Sequence, residues 1–257
     1  MKEKTIAIEI CHILQTAGHK AVIAGGAVRD FLLGHTPHDF DVATSATSIE
    51  VLHLMRDHGF EVKKVGAAFG VAIANKHGID TEIATFRQDG EYLDGRRPSS
   101  VEPSDMEGDA NRRDLTINAM FMDVATGEIF DFVGGQSDLQ NGIIRMVGDA
   151  QKRIAEDKLR MLRVVRFALK FGFTIEPETL TAIKLHAPDI HQVSAERIKM
   201  EIDKMFALGK AIAWFDLMVE TGLMQEVLPE AMALFGVEQS IEHHPEGATV
   251  RKIIYLE

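Results

Sequence analysis

Apolar positions follow two different patterns along the 257-residue chain, and the change of pattern divides the sequence into two parts. In the first part, short apolar runs such as residues 21–24 alternate with segments whose apolar residues recur at helical spacing. After about residue 148 the spacing is helical throughout. These patterns predict an α+β fold, in which a first domain of residues 1–147 mixes strands with helices and a second domain of residues 148–257 is all-helical.

The first part opens with a predicted helix over residues 3–18. Strands and helices then follow in the order strand 20–25, helix 27–34, strand 39–44, helix 47–58 and strands 60–65, 69–75 and 79–86. Residues 87–111 are rich in glycine, proline and acidic residues and carry little apolar periodicity, which predicts a long loop. The helices predicted for the second part are 150–172, 176–187, 194–208 and 209–221.

Composition restricts the class of protein. A hydrophobic content of 46% with 26% charged residues is typical of a soluble globular protein, and no apolar run approaches the roughly 20 residues that cross a bilayer. The single cysteine, Cys11, excludes an internal disulfide and favours the reducing cytoplasm, and the N-terminus lacks the pattern of a signal peptide. A net charge of -11 argues against broad, non-specific binding of nucleic acid, while a local basic surface stays compatible with it.

A glycine pair ends the first predicted strand and opens the helix that follows. Gly25 and Gly26 let the backbone come close to a ligand, and free N–H groups at the start of a helix attract an anion. Arg29 lies in the first turn of that helix, where it can hold a triphosphate, and Asp30 is expected to orient Arg29 or to cap the helix. The turn lacks the lysine and hydroxyl residue that end a P-loop, so it predicts a phosphate site of another type.

Paired carboxylates follow shortly after this turn. Asp39 and Asp41 are two residues apart on a predicted strand, so both side chains point to the same face. Like charges held this close favour a bound cation, and Mg²⁺ prefers carboxylate and phosphate oxygens. Glu82, on a later predicted strand, is the candidate third acid, although an exposed position or an ion pair with Arg87 explains it equally well. Together with the glycine turn, the acids indicate metal-assisted phosphoryl or nucleotidyl transfer.

A second candidate constellation lies in the helical part. Asp157 and Arg160 are three residues apart on the predicted helix 150–172, so their side chains would meet on one side of it. A carboxylate accepts and a guanidinium donates hydrogen bonds, which suits the edge of cytosine or adenine and rejects uracil and guanine. An ordinary intrahelical salt bridge is the alternative interpretation.

Several short motifs resemble, in the same order, those of one enzyme family. They comprise residues 25–30, 39–41, 111–120, 156–163 and 194–198. With them the chain resembles the class II tRNA nucleotidyltransferases (CCA-adding enzymes) and the bacterial poly(A) polymerases, within the polymerase-beta-like superfamily. The resemblance implies a polymerase-beta-like nucleotidyltransferase head, with a mixed sheet and helices, followed by an all-helical neck and a partial body.

The resemblance also implies roles for individual residues. It supports Asp39 and Asp41 as catalytic metal ligands, with Glu82 kept as the candidate third catalytic acid, and it assigns base reading to the neck residues Asp157 and Arg160. Arg113 would contact the sugar or phosphates of the nucleotide, and Asp114 would help to fix the ribose. The remaining predicted nucleotide-binding residues, which serve the phosphates or the primer end, are Gly25, Gly26, Arg29, Arg163 and Arg166.

The function that the resemblance implies is Mg²⁺-dependent, template-independent addition of C and A to the tRNA 3′ end. CTP and ATP would be the substrates, and pyrophosphate the leaving group. The open alternatives are an A-adding enzyme, a poly(A) polymerase and a truncated paralogue that binds nucleotide or RNA without turnover; a nucleotidyltransferase for small molecules is more distant. Members of the family usually continue into further helical domains, whereas this sequence ends at Glu257, and His243 and His244 shortly before its end predict an exposed turn.

Overall fold

The structure, a computed structural model, describes residues 2–64, 70–92, 95 and 98–232. It divides the chain into two compact units, which are Met1–Asn141 with Arg145–Gly148 and Gly142–Ile144 with Asp149–Glu257. In the ranges given above, none of the helices has the length and apolar character needed to cross a membrane. The turn predicted at His243 and His244 lies outside the described residues.

The first unit, called the head unit below, combines a mixed sheet with short helices. Its elements are α1 (Lys2–Thr16), β1 (Ala21–Ala24), α2 (Gly26–Leu32), β2 (Asp41–Thr44), α3 (Ser48–Asp57), β3 (Glu61–Lys64), β4 (Val71–Lys76), β5 (Ile79–Thr85), β6 (Arg87–Asp89), β7 (Val101–Pro103), α4 (Met106–Asn111), β8 (Phe121–Met122), β9 (Ile129–Phe130) and α5 (Gly135–Asn141). This mixture of strands and helices is the α+β architecture that the apolar pattern predicts.

Within the described residues the main sheet of the head unit has seven strands, in the order β3-β4-β5-β2-β1-β8-β9. Its strand pairs are antiparallel except for β2 and β5, which run parallel. All four residues of β1 are buried, as expected for a strand near the centre of a covered sheet. In the register of β1 with β2, Ala24 pairs with Asp41, so the start of the glycine turn lies beside the first acid of β2.

Local chemistry explains where several head elements begin and end. Thr47 and Glu50 form a reciprocal capping box at the start of α3, since the Thr47 side chain accepts from the Glu50 N–H and the Glu50 side chain accepts from the Thr47 N–H. Strands β4 and β5 form a hairpin whose turn carries His77 at φ 56° and Gly78 at φ 78°. Two successive residues with positive φ are typical of the tight turns that match strand twist.

The second unit is mainly helical. Its elements are β10 (Ile143–Ile144), α6 (Ala150–Glu156), α7 (Arg160–Phe171), β11 (Thr174–Ile175), α8 (Pro177–His186), α9 (Ala195–Phe206), α10 (Ala211–Glu220), α11 (Leu223–Val227) and α12 (Pro229–Met232). The short strands β10 and β11 pair in parallel. Helix α7 buries most of its apolar residues, packs against α9 and α10, and ends at Gly172 in the left-handed conformation.

The structure corrects three expectations. Strand β2 begins at Asp41, so Asp39 precedes the strand instead of lying on it. Residues 87–111, predicted to be a long loop, contain β6, β7 and α4, and β6 pairs with β7. The predicted helix 150–172 is two helices, because Asp157 has an extended backbone (φ -150°, ψ 107°) and its side chain accepts a hydrogen bond from the Leu159 N–H at 3.1 Å.

Candidate active site

Three predicted acids line one pocket of the head unit. The pocket has a volume of about 230 Å³, and Asp39, Asp41 and Glu82 are among its lining residues. Asp39 and Asp41 are exposed while Phe40 between them is buried, so the two acids face the same side although only Asp41 belongs to β2. Glu82 lies on the neighbouring β5, one position before Ile83, which pairs with the residue after Asp41. The sheet therefore brings together three acids from two chain segments.

The acids of this pocket influence one another electrostatically. Desolvation by the surrounding protein and the negative charge of Glu82 raise the pKa of Asp41 from 3.8 to about 6, with a further contribution from Asp39. Arg113 opposes this increase. A cation in the pocket would favour the ionised form of Asp41 and relieve the repulsion.

The donor chemistry of the pocket fits a divalent cation, because carboxylate oxygens are the ligands that hard cations such as Mg²⁺ prefer. In the part of the chain that the structure describes, no group of three or more His, Cys, Asp or Glu side chains is arranged closely enough to hold a metal ion. Asp39, Asp41 and Glu82 share the pocket without forming such a group.

The glycine turn connects β1 to α2 in a conformation that requires glycine. Gly25 has φ 68° and ψ -123°, and its N–H donates to the Met120 carbonyl at 2.9 Å. A Cβ atom at this position would lie 2.9 Å from Nη1 of Arg113, so a larger residue would displace that guanidinium. The turn thus brings the backbone of Gly25 and Gly26 close to two arginines, since a Cβ on Gly26 would lie 3.5 Å from Nη2 of Arg29.

Arg29 is buried, with 5% of its surface exposed, and its guanidinium is held from two sides. Its Nε and Nη2 each lie 2.8 Å from Oδ1 of Asp30, and its Nη1 donates to Oδ1 of Asn118 at 2.5 Å. The expectation that Asp30 orients Arg29 is confirmed by these contacts.

Arg113 is fixed by contacts with a second buried acid. Its Nη2 and Nε lie 2.9 and 3.2 Å from Oδ2 of Asp109, and its Nη1 donates to the carbonyl of Asn118 at 3.1 Å. Asp109 is 1% exposed and also binds Arg112, with 2.7 Å between Oδ1 and Nη2. Both arginines hold the pKa of the Asp109 carboxyl below its usual value, although desolvation opposes them. Asp114, the next acid, accepts from the Leu115 N–H at 2.8 Å.

Two residues of this network were missing from the sequence-based assignment. Asp109 lies in the segment that the composition predicts to be a loop, but it stands three and four positions before Arg112 and Arg113, which is the spacing of side chains that meet on a helix. Asn118 belongs to the motif of residues 111–120, where no role was given to it. A helical spacing test on residues 106–113 could have found Asp109; no local signal indicates Asn118.

In the second unit the predicted base-reading residues lie at the junction of α6 and α7, where the Arg160 N–H donates to the Asp157 carbonyl at 3.0 Å. Asp157 terminates α6 and its Oδ2 lies 2.8 Å from Nη2 of Arg197 on α9. Arg160 begins α7, donates from Nη1 to the Arg153 carbonyl at 2.9 Å and forms an ion pair with Glu156. The prediction that both residues lie on one continuous helix is therefore wrong, because the turn at residues 157–159 interrupts it.

The two remaining predicted arginines lie along α7. Nε of Arg166 lies 2.6 Å from Oε2 of Glu201 on α9, a carboxylate that is 3% exposed as a residue and also binds Lys204. The guanidinium of Arg163 lies 5.8 Å from the ring centre of Phe167. These side chains form a basic face on α7 that is partly neutralised by Glu201.

Comparison with known proteins now gives this geometry a context. A sequence model described as "Poly A polymerase head domain" matches residues 21–145, and one described as "Probable RNA and SrmB- binding site of polymerase A" matches residues 172–235. The first match covers most of the head unit and includes the predicted acids. The second lies in the helical unit.

Individual relatives agree with these matches. A CCA-adding enzyme of Oceanobacillus iheyensis is 42% identical over 212 residues, which are 81% of this chain and 52% of that protein. Among solved structures, the Bacillus stearothermophilus CCA-adding enzyme in complex with CTP has a TM-score of 0.76 and 38% identity, and a CCA-adding enzyme with ATP has a TM-score of 0.74 and 26% identity. These similarities cover 84% and 89% of this chain, and 52% and 54% of those chains. The chain spans about half the length of the relatives that it matches.

Proposed function

The chain belongs to the family of class II tRNA nucleotidyltransferases and bacterial poly(A) polymerases, and from this premise we propose that it adds C and A to the 3′ end of tRNA. CTP and ATP are the proposed substrates, no template is used, and pyrophosphate is released. The reaction takes place at the pocket of the polymerase-beta-like head unit. A cytoplasmic location is part of the proposal, because tRNA is the proposed substrate.

The observation that carries the proposal is the group of acids in the head pocket beside a turn with two arginines. Asp39, Asp41 and Glu82 share the pocket, and Arg113, which contributes to the pKa of Asp41, packs against Gly25. Acids for a cation and arginines for phosphates are the parts that nucleotidyl transfer requires. Two relatives were solved with CTP and with ATP, which supports the choice of nucleotides.

Mg²⁺ is the proposed cofactor, with Asp39 and Asp41 as its ligands and Glu82 as a third acid of the site. When bound there, it would polarise the reacting phosphate and activate the attacking 3′-hydroxyl. The protein's own contribution to the site is binding and orientation. Arg29 and Arg113 neutralise and hold the phosphates, and the carboxylate of Asp114 accepts hydrogen bonds from the ribose hydroxyl groups.

Base choice is assigned to Asp157 and Arg160 of the second unit, each held by its own partner. Asp157 keeps acceptor capacity in addition to its bonds with Arg197 and the Leu159 N–H, since a carboxylate has about four lone-pair sites. It can therefore accept from the exocyclic amino group that cytosine and adenine share, while Arg160 donates to the neighbouring ring acceptor. Arg163 and Arg166 are proposed to serve the phosphates or the primer end.

Labelled-nucleotide incorporation into tRNAs that end before CCA, before CA and before A tests the proposal. The full 257-residue chain is given CTP and ATP, separately and together with Mg²⁺, and products are resolved at single-nucleotide length. Three additions that then stop are expected. A single A on the CC-ending tRNA would instead indicate an A-adding enzyme, and an unlimited A ladder would indicate a poly(A) polymerase.

The incorporation assay, together with calorimetry, also tests the alternative that the chain binds its ligands without turnover. A paralogue that binds nucleotide or RNA without turnover would bind CTP in calorimetry and incorporate nothing. Because the small-molecule alternative also predicts no tRNA product, transfer of labelled nucleotide to a panel of aminoglycosides is run in parallel and is expected to give none.

A further inference from the structure

We infer that Asn118 is a positioning residue that sets the separation of Arg29 and Arg113, and thereby the preference of the site for a triphosphate over a monophosphate. The inference rests on the proposed function, which assigns both arginines to the phosphates. It concerns a residue to which neither the motif resemblance nor the pocket geometry gave a role.

Asn118 contacts both arginines with different atoms of one residue. Its side-chain Oδ1 accepts from Nη1 of Arg29 at 2.5 Å, across 89 positions of sequence, and its backbone carbonyl accepts from Nη1 of Arg113 at 3.1 Å. The same carbonyl oxygen lies 3.4 Å from where a Cβ on Gly25 would stand, so this residue also lies against the glycine turn. The distance between the two guanidinium groups is thus set by the short path from the Asn118 carbonyl to its side-chain amide.

The surroundings make this linkage rigid. Asn118 is 9% exposed and ends a 3-10 turn, Thr116–Asn118, in which its N–H donates to the Leu115 carbonyl at 3.0 Å. The far side of each guanidinium is bound by an acid, Asp30 for Arg29 and Asp109 for Arg113. A guanidinium held from two sides loses little further freedom when it binds phosphate, which is how a preorganised site gains affinity.

The consequence is specific to phosphate number. A monophosphate needs one cationic group, whereas a triphosphate can engage two cationic groups at a fixed separation. Without the Oδ1 acceptor, Arg29 would lose its bond to the residue that also holds Arg113, and the separation of the two guanidinium groups would be less tightly fixed. Loss of the linkage through Asn118 should therefore weaken the binding of CTP more than the binding of CMP.

The test measures dissociation constants of CTP and CMP for the full chain by calorimetry, at one fixed Mg²⁺ concentration. Asn118→Ala is expected to reduce the ratio of CTP to CMP affinity about tenfold, the size of one charge-assisted hydrogen bond. Asn118→Asp retains the acceptor but adds a charge that competes with phosphate for Arg29, so its ratio should fall between wild type and Asn118→Ala. Thr116→Val is the matched control, because it removes a buried bond of the same turn, from the Thr116 hydroxyl to Asp138 at 2.7 Å.

A second measurement separates positioning from general loss of structure. In an Arg29→Ala background, Asn118→Ala should change the affinity ratio no further, since its target is already absent. The inference is overturned if Asn118→Ala lowers CTP and CMP affinity equally, if Thr116→Val changes the ratio as much, or if the effect persists without Arg29. It is also overturned if the wild-type chain binds CTP no better than CMP.

Failure of the inference and failure of the proposed function give different results. A wild-type chain that extends no tRNA but prefers CTP to CMP, with that preference reduced in Asn118→Ala, would contradict the proposed function and support the role of Asn118. A chain that adds C and A to tRNA but keeps its triphosphate preference in Asn118→Ala would contradict only the inference.

Discussion

The head unit and the second unit hold their predicted nucleotide-binding residues in different ways. In the head unit, Arg29 and Arg113 are joined through a single residue, Asn118. In the second unit, Asp157 is bound to Arg197, while Arg160 and Arg166 take separate partners, Glu156 and Glu201. The difference suggests a division of labour. A connected network suits the proposed phosphate site, where fixed positions are needed. Separate ion pairs let each residue move independently of the others, which suits the proposed recognition of two different bases.

The largest effect is expected from a substitution in the acidic pocket of the head unit. Asp41→Ala removes an acid on which Glu82 and Asp39 both act, and we expect nucleotide incorporation to fall about a thousandfold. A metal site contributes several kcal/mol of transition-state stabilisation, and each 1.4 kcal/mol or so is tenfold in rate. Initial rates with CC-ending tRNA and ATP, at saturating Mg²⁺, measure the loss.

The control for this variant is Asp57→Ala, which removes an exposed acid at the end of α3. Its rate should equal that of wild type, and circular dichroism should show that both variants are folded. A rate within tenfold of wild type for Asp41→Ala would contradict the assignment of the pocket as the catalytic site.

Asp157→Ala tests the second unit, and its expected effect is on choice of base. Loss of the acceptor for the exocyclic amino group should reduce discrimination of CTP against UTP by roughly tenfold to hundredfold, since one hydrogen-bonded base contact supplies about 1–3 kcal/mol. Ratios of kcat/KM for the two nucleotides measure it. Turnover with CTP itself should decline less than in Asp41→Ala. Unchanged discrimination would leave Asp157 as a structural partner of Arg197.

The sequence predicts some residues of these sites and misses others for a physical reason. The glycine turn and Asp41 are encoded locally, by conformational freedom and by a short apolar strand, so their positions could be predicted, whereas Asp39 was expected on a strand that begins only at Asp41. The part played by Asn118 depends on a contact across 89 positions, and no periodicity reports such a contact.

In the second unit the sequence pattern predicts a helix that is longer than the one observed. Apolar spacing continues across the turn at residues 157–159, so the pattern predicts one helix where there are two. The helix is interrupted at Asp157, whose side chain accepts a hydrogen bond from the Leu159 N–H and whose backbone is extended. This local hydrogen bond replaces the helical arrangement. Its partner Arg197 is 40 positions away, which periodicity again does not report.

The pH dependence of stability tests the electrostatic interactions of the head pocket. The pKa of Asp41 is raised from 3.8 to about 6, so between these values the folded chain binds a proton more tightly than the unfolded chain does. The contribution of Asp41 to stability should therefore fall as pH rises from about 4 to about 6, and Asp41→Asn lacks this contribution. Although Asp41 is partly desolvated in its pocket, its side chain still reaches solvent, so solvent screens the effect and we expect it to be small.

Urea unfolding midpoints at several pH values, measured with a metal chelator present, give the difference between wild type and Asp41→Asn. The difference should grow in favour of the variant as pH increases and then level off above about 6. Parallel curves for the two proteins would mean that Asp41 has an ordinary pKa and that Glu82 and Asp39 do not act on it.

The smallest expected effect concerns Arg197, which holds Asp157 without being assigned to the nucleotide. Arg197→Ala should reduce discrimination of CTP against UTP by roughly fivefold at most, because a partly exposed ion pair contributes about 1 kcal/mol or less to the position of Asp157. Lys199→Ala is the matched control, since it removes an exposed ion pair with Asp203 from the same helix.

If the two sites are independent, as the separate ion pairs of the second unit suggest, Arg197→Ala should leave the ratio of CTP to CMP affinity unchanged. A change in that ratio as large as the one expected for Asn118→Ala would mean that the units are coupled, and the division between a connected phosphate site and separately held base-reading residues would be wrong.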